Sequence, residues 1–388
     1  MIGRVGDSTV AAALRRVSGL SLVSSKFVYV RGLGERYSST TLNGATVPSP
    51  DLTRNVIPLD LFPTSIVDSL AVQKSYSADQ AASFGGGNVD IRTKGIPDDL
   101  TYSVELGTGT YTETDSEALS YQGGDDGVFG TDEGTRALPD EISAALKRFR
   151  GGLSTSDIRK VLIEEGNQYA SEQEADVGAQ ALNRKLALNL NRNISIEEGS
   201  TDPDGDVKAS VGNRFYLDEN WELGFLAGAS YKSQWREAER TQRNFGAPDE
   251  QVNYRRKSTY SVDISGNFNL GLRFADEHAI ESTSLFLCNT DDETSITDYF
   301  NENRQVSDGS GYREYLLKYE ERELALNQVQ GSHSLGPETR TLLPLEFFNW
   351  VPEELVFDWF FSDATATTDI PNQDDGSIRI CCEHAAGL

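Results

Sequence analysis

Ser258–Phe274 reads STYSVDISGNFNLGLRF, and its chemistry switches at almost every residue. Tyr260, Val262, Ile264, Phe268, Leu270, Leu272 and Phe274 fall on one side of an extended chain. Thr259, Ser261, Asp263, Ser265, Asn267, Asn269 and Arg273 fall on the other, because successive side chains of a strand point to opposite faces. An ordinary soluble strand has about 5–6 residues; this run meets or exceeds the roughly 9–11 of a tilted strand that crosses a bilayer. Trp221–Trp235 repeats the pattern, setting Trp221, Leu223, Phe225, Ala227, Ala229, Tyr231 and Trp235 against Glu222, Gly224, Ser230, Lys232 and Gln234. Aromatic residues stand at both of its ends, as they do in the interfacial girdles of membrane barrels. Val207–Leu217 and Tyr102–Thr110 read as further strands. The tight connections Asp218–Asn220 and Ala275–Glu277 alternate with long ones, Arg236–Lys257 and Asp291–Tyr312, and short turns on one side with long loops on the other are a barrel pattern. A soluble β-sandwich with one wet face also alternates; strand length, end aromatics and loop asymmetry favour the barrel.

Bulk properties narrow the function. Of 388 residues, 37% are hydrophobic and 25% charged, with a formal net charge of −26. So acidic a chain is a poor match for phosphate backbones, which excludes nucleic acid as a partner. No apolar run approaches the roughly 20 residues of a membrane helix. Met1–Gly6 shows no basic-then-apolar leader, which fits a mature or truncated start and equally a cytosolic protein. Cys288, Cys381 and Cys382 form neither a disulfide framework nor a metal spacing. His278, His333 and His384 have no spaced catalytic partner. Asp125-Asp126 and Asp291–Glu293 read as solvated acidic loops. Asp202, Asp204 and Asp206 begin like a calcium loop, but Val207 stands where that loop needs glycine. Gly85-Gly86-Gly87 lacks the Lys-Ser/Thr of a phosphate loop and precedes a strand. No cofactor, metal site or enzymatic constellation is expected.

The first 95 or so residues have a different texture. A helix carrying Val10, Leu14 and Val17, capped by Asp7 or Ser8, ends at Gly19. A strand follows at Lys26–Arg31, then a hairpin at Thr40–Val47 turning on Asn43-Gly44. Pro63–Leu70 reads as a short helix with Ile66, Val67 and Leu70 inward. Strands at Leu70–Lys74 and Asn88–Lys94 flank the triple glycine, where backbone freedom is needed. In the long segment Tyr111–Asp206, short helices are expected at Pro139–Phe149 and Ser154–Glu164, and a short strand at Leu186–Asn191.

Two stretches carry a resemblance. Phe27–Pro50, FVYVRGLGERYSSTTLNGATVPSP, and Phe62–Lys94, FPTSIVDSLAVQKSYSADQAASFGGGNVDIRTK, resemble the plug domain of TonB-dependent outer-membrane receptors. A strand ending Arg-Gly, an Asn-Gly hairpin, a proline-led helix, a Val-centred strand and a Gly-rich loop into Val-Asp-Ile-Arg-Thr-Lys occur in the family's order. Lys74-Ser75-Tyr76 departs from the family's frequent Arg-Gly-Pro.

The resemblance implies an α+β plug domain followed by an antiparallel membrane β-barrel, here incomplete. The expected form is a curved open sheet of about seven strands with its lumen side exposed, against about 22 in a whole transporter. Expected boundaries are 1–97 for the plug, 98–375 for the first part of the barrel and 376–388 for an atypical tail, with the chain truncated at both ends. It further implies that Arg31 pairs with a barrel carboxylate and that Glu35, Arg36 and Tyr37 face the ligand. The implied setting is the outer membrane of a Gram-negative bacterium. Implied partners are membrane lipid, a small nutrient (a metal chelate, cobalamin or oligosaccharide) and the inner-membrane TonB complex, reached through a TonB box absent from this sequence. The rival reading is a soluble or surface-exposed ligand-binding protein built on a plug-like module.

Overall fold

The computed structural model describes residues 10–15, 17–23, 27–32, 37–51, 57–76, 85–110, 118–121, 127–131, 138–165, 171–189, 195–342, 352, 355–370 and 374–378. Helix α1 (Val10–Leu14) buries Val10 and Leu14; its expected caps, Asp7 and Ser8, lie outside the described residues. Strand β1 (Leu20–Val23), which the sequence did not announce, pairs antiparallel with β2 (Phe27–Val30). Next come β3 (Ser38–Leu42) and β4 (Ala45–Thr46), joined at Asn43 and Gly44 with φ of 50° and 80°. Both central residues are left-handed, as the expected Asn-Gly hairpin turn requires. Strands β5 (Val67–Gln73) and β6 (Gly87–Thr93) complete a sheet of order β4-β3-β6-β5, in which β3 and β6 are parallel.

The helix expected at Pro63–Leu70 is not there. A 3-10 turn at Leu59–Leu61 carries two buried leucines, and the chain is already a strand at Val67. Ile66 and Val67 are β-branched and suit a pleated surface, and Val67 pairs with Thr93, with an irregularity before Ser69. Closing the exposed side of β6 outweighs the helix start that proline suggests.

Beyond this unit the wall begins. Its strands are β7 (Thr101–Gly109), β10 (Asp204–Tyr216), β11 (Trp221–Arg243), β12 (Val252–Phe274), β13 (His278–Tyr299), β14 (Tyr312–Ser334) and β15 (Val356–Asp369). All neighbours are antiparallel in the order β15-β14-β13-β12-β11-β10-β7, an open sheet of seven strands. A short β16 (Asp374–Ile378) also pairs with β14. Strand pairing thus reaches into the atypical tail, as far as Ile378; the residues after it lie outside the described set.

Three expectations about the connections change. Strands β11, β12 and β14 have 23 residues each and β13 has 22, so the long connections shrink to residues 244–251 and 300–311. The strand expected at Leu186–Asn191 is instead the end of an 18-residue helix, α4 (Glu172–Asn189). Leu186 and Leu188 mimic a period of two, but Ala175, Ala179 and Leu186 form the buried stripe of a helix. This helix packs with α2 (Asp140–Arg148) and α3 (Thr155–Glu164), both near their expected positions, around Ile142, Phe149 and Ile158.

The wall has two chemically distinct faces. The inner one meets the plug. The outer one carries Val211, Phe215, Phe268, Leu270, Ile280 and Phe286, each more than 40% exposed. Nearer the long loops, the outer face is covered by β8 (Ala118–Tyr121), which pairs with β9 (Ile196–Gly199), and by residues 127–131. Leu119 N–H donates to Ser258 Oγ at 2.8 Å, and Tyr121 OH to Asp292 Oδ1 at 3.0 Å. Among the described residues no helix is long and apolar enough to cross a membrane, which says nothing of strands.

Candidate functional site

The working surface is the junction between the plug and the inner face. Register places Leu285 and Leu287 of β13 beside Leu326 and Leu324 of β14. All four are at most 3% exposed and join one core with Val28, Leu42, Leu59, Phe62 and Ile91 of the plug. The expected bare lumen side is therefore corrected over β13 and β14, where the plug's own core extends onto the wall. At the β7 edge the inner face is bare, with Ser103 and Glu105 exposed.

One charge interrupts the leucine patch. Arg322 of β14, 2% exposed, lies two positions before Leu324 on the same face. Its Nη2 is 3.4 Å from Asp60 of the plug and 3.2 Å from Asp291 of β13, and it also donates to Asn289 Oδ1. Ser261 Oγ donates to Asp291 at 2.7 Å, and Asn289 Nδ2 donates to Asp263 at 2.5 Å. A guanidinium so deeply desolvated needs such partners, and removing any of them exposes an uncompensated charge. Beside this cluster a small open cleft, about 30 Å³, runs between Asp60, Leu61 and Pro63 of the plug and Asp206, Lys208, Lys232 and Asp263 of the wall.

Backbone contacts fix the plug further. Asn269 Nδ2 donates to Lys94 O at 2.7 Å, Gln328 Nε2 to Asn43 O at 3.3 Å, and Thr368 Oγ1 to Pro50 O. The segment leaving the plug lies in a groove of small residues. A Cβ on Gly224 or Gly271 would sit 2.5 Å or 2.6 Å from Ile96, and one on Gly212 would sit 2.8 Å from Pro97. Only glycine lets Ile96 lie so close to the sheet.

The sequence candidates fall elsewhere. Arg31 is exposed in the turn after β2 with φ of 53°, its N–H donating to Gly19 O at 2.9 Å. Among the described residues no carboxylate forms an ion pair with it. Tyr37 is 50% exposed just before β3; Glu35 and Arg36 lie outside the described residues. The junction pair, Asp60 and Arg322, was missed. Its signal was a charge in the same alternating register as Leu324 and Leu326, which only a known partner surface could have marked as buried.

A plug seated on the inner face of an antiparallel wall defines the class. The TonB-dependent Receptor Plug Domain family model matches residues 1–89, the N-terminal unit that packs on the wall. Among solved structures the chain is similar to "Copper transporter OprC", at 9% identity and a TM-score of 0.26, over 94% of this chain and 59% of that one. It is also similar to the ferric-catecholate import receptor Fiu from E. coli K12, at 11% identity and a TM-score of 0.21, over 98% of this chain and 66% of that one. The chain thus spans less than two thirds of either structure, and likenesses this faint lend no weight to fold or ligand. No curated protein matches the chain.

Proposed function

We propose that this chain is the plug and forward wall of an outer-membrane TonB-dependent receptor that imports a scarce nutrient: a metal chelate, cobalamin or an oligosaccharide. On this reading residues 1–97 form the plug and 98–375 the first part of the barrel. The carrying observation is that a domain matching the plug family packs on the inner face of a wall whose opposite face bears an exposed apolar band. Exposed apolar surface of this extent marks a membrane or partner contact. The band takes in Phe268, Leu270 and Leu272 of β12, Ile280 and Phe286 of β13, and Phe357 and Phe361 of β15. The inner-membrane TonB complex would supply the work, by pulling on the plug and loosening the Asp60–Arg322 junction beside the cleft.

Arg31, exposed on the plug surface, is proposed as a second plug–wall contact, and Glu35, Arg36 and Tyr37 as the ligand-facing loop. Equal effects of Arg31→Ala on the isolated plug and on the assembled receptor would refute the contact; unchanged ligand affinity in Tyr37→Ala would refute the loop assignment. Co-flotation with phospholipid vesicles and heat-modifiable migration in detergent test the main reading. A monomeric species that stays with the aqueous phase would overturn it. That outcome would favour a soluble or surface-exposed binding protein, a reading supported by the chain's own cover over the polar part of the outer face.

A further inference from the structure

The outer face of the wall holds a cluster that the plug-and-barrel reading does not use. Cys288 of β13 lies directly across from Glu323 of β14, and Thr290 directly across from Glu321. The four side chains form a square on one face. The thiol and one oxygen from each carboxylate lie within 4.8 Å of one another. Cys288 is 8% exposed and Thr290 3%.

The electrostatics of this square are unbalanced. Among the described residues neither Glu321 nor Glu323 forms an ion pair. Glu323 accepts one hydrogen bond, from Thr367 Oγ1 at 3.1 Å. Tyr319 OH reaches Glu321 Oε2 at 2.8 Å and Gly130 O at 2.5 Å, but has a single proton to donate between them. The Thr290 hydroxyl faces the Cys288 thiol, yet meets hydrogen-bond geometry with no described atom. Gly130 closes over it, so that a Cβ there would lie 2.9 Å from Thr290 Oγ1. A buried hydroxyl without a partner normally costs stability, as do two carboxylates brought beside a thiol with no cation. One bound cation resolves all three.

We propose that Cys288, Glu321 and Glu323 bind a divalent transition metal of the zinc class on the outer face, with Thr290 Oγ1 or a water as the remaining oxygen donor. Mixed sulfur and oxygen donors suit a borderline-soft tetrahedral ion; calcium and magnesium require oxygen alone. The ion would clamp β13 to β14 beneath residues 127–131, on the side of the wall away from the plug and the cleft. Its role would therefore be structural rather than that of cargo.

The test uses the full chain in detergent with Cys381→Ser and Cys382→Ser, so that every sulfur signal comes from Cys288. Zinc titration should show one tight site releasing about one thiol proton per ion, and cadmium should give a sulfur-to-metal charge-transfer band. Cys288→Ser should abolish the band and weaken zinc at least tenfold, and should remove the zinc-dependent rise in unfolding midpoint. Glu323→Gln, which leaves the thiol and the packing in place, should weaken zinc by a similar factor and decides the matter should Cys288→Ser fail to fold. A parent chain with no cadmium band, or zinc affinity unchanged in Glu323→Gln, would overturn the proposal.

Discussion

The long wall strands are two structures joined end to end. Toward the tight turns, outward residues such as Phe268, Leu270 and Leu272 are apolar and exposed, while inward residues such as Asn269 are polar and covered by the plug. Toward the long loops, both faces are charged. Arg255 and Lys257 share Glu293 at 2.6 Å and 2.5 Å, and Arg313 meets Asp298 at 2.5 Å. The backbone ladder runs unbroken through both halves, from Trp221↔Phe274 to Arg243↔Val252. Apolar periodicity thus reports where one face is apolar, whereas hydrogen-bond pairing sets where a strand ends. The charged halves therefore read as loops in the sequence.

The largest expected effect lies where the halves meet. Arg322→Met removes the guanidinium that Asp60 and Asp291 share, leaving both carboxylates in a buried junction. Breaking such a pair costs about 3–5 kcal/mol, read as a fall in urea unfolding free energy. Adding Asp60→Asn and Asp291→Asn should restore much of it; a triple variant as unstable as the single one would assign the loss to packing rather than charge.

Next in size is a direct test of the two halves. Leu270→Arg puts a cation in the exposed apolar band and should cost about 2–4 kcal/mol of stability in lipid vesicles. Thr241→Arg places the same charge on the same face of the charged half, and should change stability by less than about 0.5 kcal/mol. Equal losses would erase the distinction between the halves. Smaller again is Glu293→Gln, which removes two half-exposed ion pairs worth about 0.2–1 kcal/mol each; its effect should vanish in high salt, whereas that of Leu270→Arg should persist.

The sequence made the wall legible wherever a single face is apolar, and the plug wherever turn chemistry is obligatory, as at Asn43-Gly44. It could not show that Arg322 is buried, because alternation assigns a side and not a partner. Nor could it show the cover over Ser258 and Asp292, since Ala118–Tyr121 is too short to carry a period. Ile66 and Val67 illustrate the opposite failure, a local helix signal overridden by a sheet edge 26 positions later, where Val67 meets Thr93.

The smallest predicted effect concerns the rim at the tight-turn end, where Glu277 follows β12. Its carboxylate accepts from Glu338 N–H at 2.8 Å, Thr339 N–H at 2.9 Å and Thr339 Oγ1 at 2.5 Å, at the start of α5 (Pro337–Leu342). Partial burial opposes the charge, but these hydrogen bonds outweigh it and hold the carboxyl below its ordinary value of 4.5. They also terminate a directed chain. Trp359 Nε1 can only donate, so His333 Nε2 accepts at 3.0 Å and its Nδ1–H faces His278 Nδ1 at 3.1 Å. His278 Nε2 then donates to Thr339 Oγ1 at 2.7 Å, and Thr339 to the carboxylate. The chain ties β15, β14, β13 and α5 together in one orientation, with a donor fixed at one end and an acceptor at the other. Because the folded carboxyl binds its proton more weakly than the unfolded one, its contribution is fully present above the unfolded value and is lost as pH falls through the folded one. The difference in urea midpoint between the parent and Glu277→Gln should therefore be level above about pH 5.5 and shrink as the medium is acidified below the ordinary carboxyl range. A difference that stays constant down to about pH 3 would mean that Glu277 acts through its shape and not its charge, and the rim would then depend on packing as the apolar half of the wall does.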